Sequence, residues 1–510
     1  MTGPTGSTGG ADAPADGSRP NVLLLVVDAC RADYTSPYAP GVDWTPAFEA
    51  LGREGTVFER AVSAAPWTLP SVTSVLTGDY PHEHGATSRG FAMRGERTVV
   101  HQLAAAGYRC VHLSPTTWIG DWLPQGRGFD RVEEFTGPQH RRFDGGRDVR
   151  DLTEGVSRGI EWYATAIRRS LSSSSPLRSL ANAAAFKVSE ATGDVWADDV
   201  RASERAATVA DDCFASFADD DRPFFAYVHL MDPHLPFYVP PEFASDVRPP
   251  GCATDEEERE YVRVLMDDLW EIRLGERTLT EAEIRFLRAR YADEVAYADS
   301  VVGRVLESLD RHGHAEETLV VLTGDHGEHL GEAVAGRTLL DHQTSVRLPL
   351  LRVPLVLRYP GEFDGDDRDD LVQTNYVADT VRALAELEYR PSRSLLDRDA
   401  AYTRDAALAE YAGVVASHPP DHLPTDRLLR PRATAIAGEW KLDRVGGERR
   451  AARIDWAANR EVAVDEGNLP QAIRETLAAT LDDAVPPRRE SADGSIPSDV
   501  ERRLEDLGYR

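Results

Sequence analysis

Three apolar runs predict an α/β fold: a large, mostly parallel sheet flanked by helices, with a smaller C-terminal α+β subdomain. The runs are Asn21–Val27 (N-V-L-L-L-V-V), Pro223–Leu230 (P-F-F-A-Y-V-H-L) and Thr318–Leu322 (T-L-V-V-L). Unbroken rather than alternating hydrophobicity marks strands covered on both faces, as in parallel sheets. Between the second and third runs, Glu281–His312 carries Ile284, Leu287, Tyr291, Val295, Ala298, Val302 and Val305 at helical spacing. The 510 residues exceed one domain's usual size. The expected division is residues 1–19 disordered, 20–390 the large α/β domain, and 391–510 a C-terminal subdomain with a tail helix.

Residues 1–19 are mostly Gly, Thr, Ala, Pro and Asp, with no apolar core. The run Asn21–Val27 ends at Asp28. Open α/β sheets bind ligands beyond the carboxyl ends of their strands, so Asp28 is either a ligand-binding residue or simply the start of a loop. Pro66–Gly85 (P-W-T-L-P-S-V-T-S-V-L-T-G-D-Y-P-H-E-H-G) reads as a loop carrying Thr68, a short helix and a turn. Pro70 suits a first helical turn, Val72, Val75 and Leu76 face inward, and Gly78 stops the helix. Thr68 then stands at a helix N-terminus. That position favours an anion or an alkoxide, and it equally suits a plain helix cap.

Further on, residues 98–107 predict a helix and Tyr108–Leu113 a strand. Residues 140–195 read as an insertion that either shapes substrate choice or is a solvated excursion. They contain the serine run Ser172–Ser175 and an Arg-bearing helical pattern around Ile160–Arg169. Asp198–Ala218 predicts a helix. The run Pro223–Leu230 empties into a Pro-rich loop with Asp232 and His234, and Thr318–Leu322 delivers T-G-D-H-G-E with Asp325 and His326 between glycines. His342 follows. Leu350–Tyr359 predicts a strand, with Pro354 marking an edge or bulge. Residues 371–388 predict a helix. Shorter strands are expected beyond 405, then helices at Pro470–Leu481 and Ser498–Tyr509.

Composition excludes several classes of function. The net charge is −29, and Lys187 and Lys441 are the only lysines. Acidic excess with lysine depletion fits a protein adapted to molar salt, and with no basic stripe nucleic acid is not an expected partner. Cys30, Cys110, Cys213 and Cys252 form no C-x-x-C, so neither zinc ribbon nor disulfide framework is indicated. No apolar run is long enough to span a membrane, and no secretory pattern opens the chain. A cytoplasmic location is the expectation.

Two carboxylates, an imidazole and a hydroxyl make a mixed oxygen and nitrogen site for a divalent cation. A cation on Thr68 Oγ1 would activate that hydroxyl, while His234 and His342 hold the anion or protonate the leaving group.

On these motifs the chain resembles the sulfatase family of the alkaline phosphatase superfamily over most of residues 20–390. The carriers are N-V-L-L-L-V-V-D-A-C-R-A-D-Y, the Pro66–Gly85 run, F-F-A-Y-V-H-L-M-D-P-H-L-P-F, Y-A-D-E-V-A-Y-A-D-S-V-V-G-R, L-V-V-L-T-G-D-H-G-E-H-L-G-E and R-V-P-L-V-L-R-Y-P-G, in that order. The resemblance implies metal ligands Asp28, Asp325 and His326, the nucleophile and further ligand Thr68, and anion contacts at His234 and His342. It also implies a divalent ion, Mn, Mg, Ca or Zn, and a small-molecule or glycan ester as substrate.

The departures are specific. Family sulfatases convert Cys or Ser of C/S-x-P-S-R to formylglycine. Here the run is Thr68-Leu69-Pro70-Ser71-Val72. Thr cannot become formylglycine, and Val72 replaces the Arg. A sulfated Thr has no second hydroxyl to expel sulfate, so water must attack sulfur. Asp28-Ala29 stands for a frequent Asp-Asp, and Asp325-His326 for Asp-Asn. Arg31 and Asp33 are expected to stabilise the loop. The expected function is metal-dependent hydrolysis of sulfate or phosphate esters, with phosphate mono- or diesters preferred chemically. The alternatives are phospho-group transfer to a glycan or lipid and a catalytically silent binding homologue.

Overall fold

The structure is a computed structural model. It describes residues 19–484 except 88–92, 95–97, 116, 120–123, 135–148, 154–159, 174, 193–195, 335, 397–404 and 414–427. Most of the expected disordered start and the expected tail helix Ser498–Tyr509 lie outside the described residues.

The central sheet has eight strands in the order β10-β2-β9-β6-β1-β5-β3-β4. They are β1 (Asn21–Val27), β2 (Thr56–Val62), β3 (Arg109–Ser114), β4 (Arg131–Glu134), β5 (Phe224–Leu230), β6 (Thr318–Gly324), β9 (Leu355–Arg358) and β10 (Asp367–Gln373). A small hairpin, β7 (His329–Val334) and β8 (Arg337–Asp341), follows β6. Only β9 runs antiparallel to its neighbours β2 and β6. The three apolar runs of the sequence are the three central strands, with β1 between β5 and β6 in parallel register. Val22–Val27 are at most 1% exposed, because helices cover both faces.

One face of β1 packs with Tyr297, Ala298, Val302 and Val305 of the Glu281–Arg311 helix and with Ala206, Ala210 and Phe214 of the Trp196–Phe217 helix. The other face packs with Val72, Val75 and Leu76 of the Thr68–Thr77 helix. The apolar stripe read from the long helix is therefore its core face.

The structure corrects two expected elements and adds five strands to those expected before residue 390: β2, β4, β7, β8 and β10. Leu350–Tyr359 is not one strand. It is a helical turn, Leu348–Leu351, then an isolated bridge at Arg352, then β9. Pro354 neither edges nor bulges the sheet: it lies just before β9, and its carbonyl accepts from Gly324 N (3.2 Å) and Thr323 Oγ1 (2.9 Å). A missing N–H costs nothing there. The helix expected over 371–388 begins at Tyr376 and ends at Leu384, and the residues before it form β10. Neither β2 (T-V-F-E-R-A-V) nor β10 (D-R-D-D-L-V-Q) is a continuous apolar run. Their polar residues are tolerated because β10 is an edge strand paired only to β2.

The C-terminal strands form a five-stranded antiparallel meander of β11 (Ala407–Tyr411), β12 (Arg432–Ala437), β13 (Trp440–Val445), β14 (Glu448–Asp455) and β15 (Arg460–Val464). The Gln471–Asp483 helix lays Leu477 and Leu481 against Leu408, Ala435 and Leu442. The four cysteines are free. Among the described residues no helix is long and apolar enough to cross a membrane.

His112 on β3 is fully buried beside Phe129 and Tyr227, and neither ring nitrogen has a hydrogen-bond partner. Burial pushes its imidazole down to about 3, as it does that of His84. Both rings are neutral in the folded chain, whereas the unfolded chain takes up their protons near pH 6.5. Their contribution is therefore intact above pH 6.5 and is lost as pH falls toward 3, at up to about 1.4 kcal/mol per pH unit for each. His112→Phe is expected to remove one proton from the slope of stability against pH between 6 and 4, measured by urea unfolding. An unchanged slope would show that His112 is not the linked group.

Candidate active site

The carboxyl ends of β1, β5 and β6 converge, because these strands are neighbours in parallel register. Asp28 follows β1, and Asp325-His326 follows β6. Ligand atoms of Asp28, Asp325 and His326 all lie within 4.8 Å of one another, and all three residues are fully buried. His326 Nε2 is 3.5 Å from both Asp28 Oδ1 and Asp325 Oδ2. Those two carboxylate oxygens have no hydrogen-bond partner. His326 Nδ1 is 2.9 Å from Gly327 O. A carbonyl only accepts, so Nδ1 carries the proton and Nε2 is left as a ligand atom.

Thr68 is the first residue of its helix, with Trp67 as N-cap. Its Oγ1 lies 3.4 Å from Asp28 Oδ2 and 3.2 Å from His326 Nε2. Ser71 explains how the helix is held there. Ser71 Oγ and Ser63 Oγ both donate to the Asp325 carbonyl, at 2.6 and 2.5 Å. Val72 points instead into the apolar layer.

The backbone after β1 is shaped for the site. Ala29 takes the left-handed region (φ 55°), uncommon for a residue with a Cβ, and its N–H donates to Asp325 Oδ1 at 3.1 Å. Tyr291 Oη, from the long helix, donates to Ala29 O (2.6 Å) and accepts from Arg31 N (2.8 Å). Arg31 meets Asp33 through two hydrogen bonds (2.9 and 2.8 Å) and Glu332 at 2.6 Å. The loop-stabilising role expected of Arg31 and Asp33 matches these contacts.

His234 and His342 are brought to the same place. The His342 ring stacks on His326 (centroids 4.5 Å apart) and meets His234 edge-on (4.8 Å). His342 Nδ1 is 2.8 Å from Glu328 Oε2, and its Nε2 has no partner. Every residue singled out from the sequence as a site residue thus lies in this one cluster.

Sequence reading missed two supporting groups, His229 and Glu328, whereas Asp232 was already named in the loop after the Pro223–Leu230 run. His229 on β5 donates from Nε2 to Asp28 Oδ2 (3.0 Å), and its Nδ1 accepts from Tyr227 Oη (2.7 Å). Glu328 orients His342. Asp232 accepts a short hydrogen bond from Ser203 on the Trp196–Phe217 helix. The one legible signal was a histidine inside an otherwise apolar strand.

The charges are unbalanced in a telling direction. Burial opposes ionisation of Asp28, but the His229 hydrogen bond and the neighbouring imidazoles hold it below the usual carboxylate range. Burial, then the Asp28 charge, pushes Asp325 well above that range. Burial lowers His326 and His234, and lowers His342 far more. Two enclosed carboxylates with unpartnered oxygens, beside a neutral imidazole nitrogen, are a donor set that a divalent cation would satisfy.

A hydroxyl at a helix N-terminus beside such a donor set, on a mostly parallel sheet, is the equipment of an ester hydrolase of the alkaline phosphatase class. The Sulfatase family model matches residues 20–387, and the chain belongs to the sulfatase family, whose members are ester hydrolases. The Multifunctional alkaline phosphatase superfamily protein PehA of Trinickia caryophylli is 26% identical, over 68% of this chain and 69% of its own length. An Arylsulfatase of Clostridium perfringens is 22% identical, over 65% and 68%. Among solved structures, the Phosphonate Monoester Hydrolase of Agrobacterium radiobacter shares the fold with a TM-score of 0.60 at 18% identity, covering 91% of this chain and 95% of that one. Ps i-CgsB in complex with k-i-k-neocarrahexaose shares it with a TM-score of 0.58 at 16% identity, over 96% and 98%.

Proposed function

We propose that the chain hydrolyses phosphate or sulfate esters with Thr68 Oγ1 as nucleophile, and that Asp28, Thr68, Asp325 and His326 hold a divalent cation. The observation that carries this reading is the position of Thr68 Oγ1. It lies within 3.4 Å of Asp28 and His326, at the start of a helix, and Asp28 Oδ1 and Asp325 Oδ2 of the same cluster have no hydrogen-bond partner. When bound, the cation would lower the pKa of the Thr68 hydroxyl and offset negative charge on the ester oxygens.

The chain's own residues supply the rest. Thr68 Oγ1 attacks phosphorus or sulfur and gives up its proton, for which Asp28 Oδ2 is the nearest carboxylate acceptor. An anionic ester raises the pKa of His234 and His342 as it binds, so that one of them can carry the proton that the leaving alkoxide takes, and water then attacks the phosphoryl or sulfuryl group on Thr68 to free it. His229, donating to Asp28 Oδ2, keeps that carboxylate oriented. Asp28, Thr68, Asp325 and His326 are 0% exposed, so charges there are weakly screened by solvent.

Phosphate mono- or diesters are the preferred substrates, because threonine offers one oxygen and no route to expel sulfate by elimination. The named activities of relatives support both phosphorus and sulfur chemistry on this fold. The glycan bound in a structural neighbour supports a glycan ester as a candidate substrate.

The test is a paired assay of p-nitrophenyl phosphate, bis-p-nitrophenyl phosphate and p-nitrophenyl sulfate in molar salt with Mn²⁺, Mg²⁺, Ca²⁺ or Zn²⁺. Turnover of a phosphate ester is expected. Turnover of the sulfate alone would overturn the phosphate preference. Removal of the ion with EDTA is expected to abolish turnover and to lower Tm, since an ion that binds only the folded state stabilises it by about 2.7 kcal/mol at a hundredfold excess over Kd. A Tm unmoved by EDTA and by every added cation would remove the metal from the proposal.

A further inference from the structure

The helices Ile160–Leu171 and Pro176–Thr192 form a hairpin that contributes nothing to the site above. Its first helix has two apolar faces. Trp162, Thr165, Ala166 and Ser170 are buried, with Trp162 and Ala166 packed against Val149 and Ala183. On the other side Tyr163, Ile167 and Leu171, spaced i, i+4 and i+8, are 49%, 53% and 58% exposed, and Leu177 beyond the turn is 83% exposed. Four of the eight large exposed apolar residues among the described residues fall in this short stretch, so the clustering is not the ordinary scatter of single surface side chains. Ser173 Oγ donates to Ser170 O (2.7 Å) and lies 2.8 Å from Ser179 Oγ. Leu171 ends the first helix and Leu177 lies in the first turn of the second.

The charge of this segment is opposite to that of the chain. From Ile160 to Thr192 there are three arginines, one lysine and two glutamates, whereas the whole chain carries −29. Arg168 and Arg178 are exposed beside the apolar stripe. Lys187, one of only two lysines, places its ammonium 5.1 and 4.9 Å from the rings of Trp162 and Tyr163. Apolar side chains flanked by cations match a surface of anionic headgroups over acyl chains. A second copy of the chain is a poor occupant, because a symmetric contact would bring these arginines against each other. The acidic remainder of the molecule does not cancel the local attraction, since salt screens distant charges before those in direct contact with headgroups.

We propose that the 160–192 hairpin docks the enzyme on an anionic lipid bilayer, with Tyr163, Ile167, Leu171 and Leu177 entering the interface and Arg168 and Arg178 meeting the headgroups. The docking is peripheral, since no helix among the described residues is long and apolar enough to cross a membrane.

The test is co-sedimentation of the full chain with phosphatidylglycerol–phosphatidylcholine vesicles and with phosphatidylcholine vesicles alone, in buffer where circular dichroism shows every variant folded. The wild-type chain is expected to partition at least tenfold better onto the anionic vesicles. Ile167→Asp with Leu171→Asp should lose at least tenfold on both. Arg168→Glu with Arg178→Glu should abolish the preference for phosphatidylglycerol. The proposal is overturned if wild type does not sediment with vesicles, or if the apolar variant sediments as wild type does. Sedimentation velocity supplies a third outcome: a dimer lost in the same apolar variant would assign the face to self-association instead.

Discussion

Thr68→Ala is expected to lower turnover by roughly 10⁴- to 10⁶-fold, the loss seen when a catalytic nucleophile is removed, while leaving the fold in place. The fold should survive because the helix is held by other groups. Ser71 and Ser63 anchor it to the Asp325 carbonyl, and Val72, Val75 and Leu76 fill the core beneath β1. The substitution removes one hydroxyl and one methyl from a buried position. Thr68→Ser keeps the oxygen at the same helix position and should retain measurable activity. Near-wild-type rates in Thr68→Ala, with an unchanged melting temperature, would exclude Thr68 as nucleophile and leave a directly attacking water as the route.

Lys441→Met is expected to cost about 3–5 kcal/mol of stability, the usual result of leaving a buried charge without its partner. Lys441 is 0% exposed, and its ammonium lies 2.9 Å from Asp443 Oδ1 and 2.8 Å from Glu461 Oε1. Glu461 also meets Arg347 at 3.3 Å and accepts from Leu348 N at 2.6 Å. This network ties β13 and β15 of the C-terminal meander to the helical turn just before β9, so its loss would loosen the meander from the central sheet. Urea unfolding at pH 7 measures the effect. In the wild type, Lys441 and Arg347 outweigh burial and hold Glu461 below the usual carboxylate range. Without the lysine, the two acids can be accommodated only by taking up protons, so the deficit should shrink as pH falls through the carboxylate range. A variant as stable as wild type at pH 7 would mean that the network adds no net stability.

The site was unusually legible in the sequence, for a physical reason. Asp28, Asp325 and His326 each end a run of fully buried strand residues, and a parallel sheet puts such ends on one edge. Polar residues placed there have few structural duties. Thr68 was legible through Pro70 and Gly78, which bound its helix. The supporting groups were not. His229 and Tyr227 lie within a strand whose apolar pattern reports burial and assigns them no role. Glu328 gains meaning only when the β7–β8 hairpin turns His342 back beside it, at 2.8 Å.

The same division runs through the fold. Continuous hydrophobicity determined the three central strands, and helical periodicity determined the long helix, because both patterns report burial directly along the chain. The edge strand β10 and the neighbouring β2 carry charged residues that local pattern does not assign to strands, and only pairing in the sheet, β10 with β2 and β2 also with β9, makes them strands. Pro354 signalled an edge when it lies just ahead of an inner strand, because the cost of a missing donor depends on what faces it across the sheet. The sequence by itself determined the family and the parallel core, and it picked out the candidate site residues. The tertiary structure decided which distant groups hold those residues in place, and which way the exposed apolar stripe of the hairpin faces. Both depend on neighbours far apart in the chain, which no local pattern encodes.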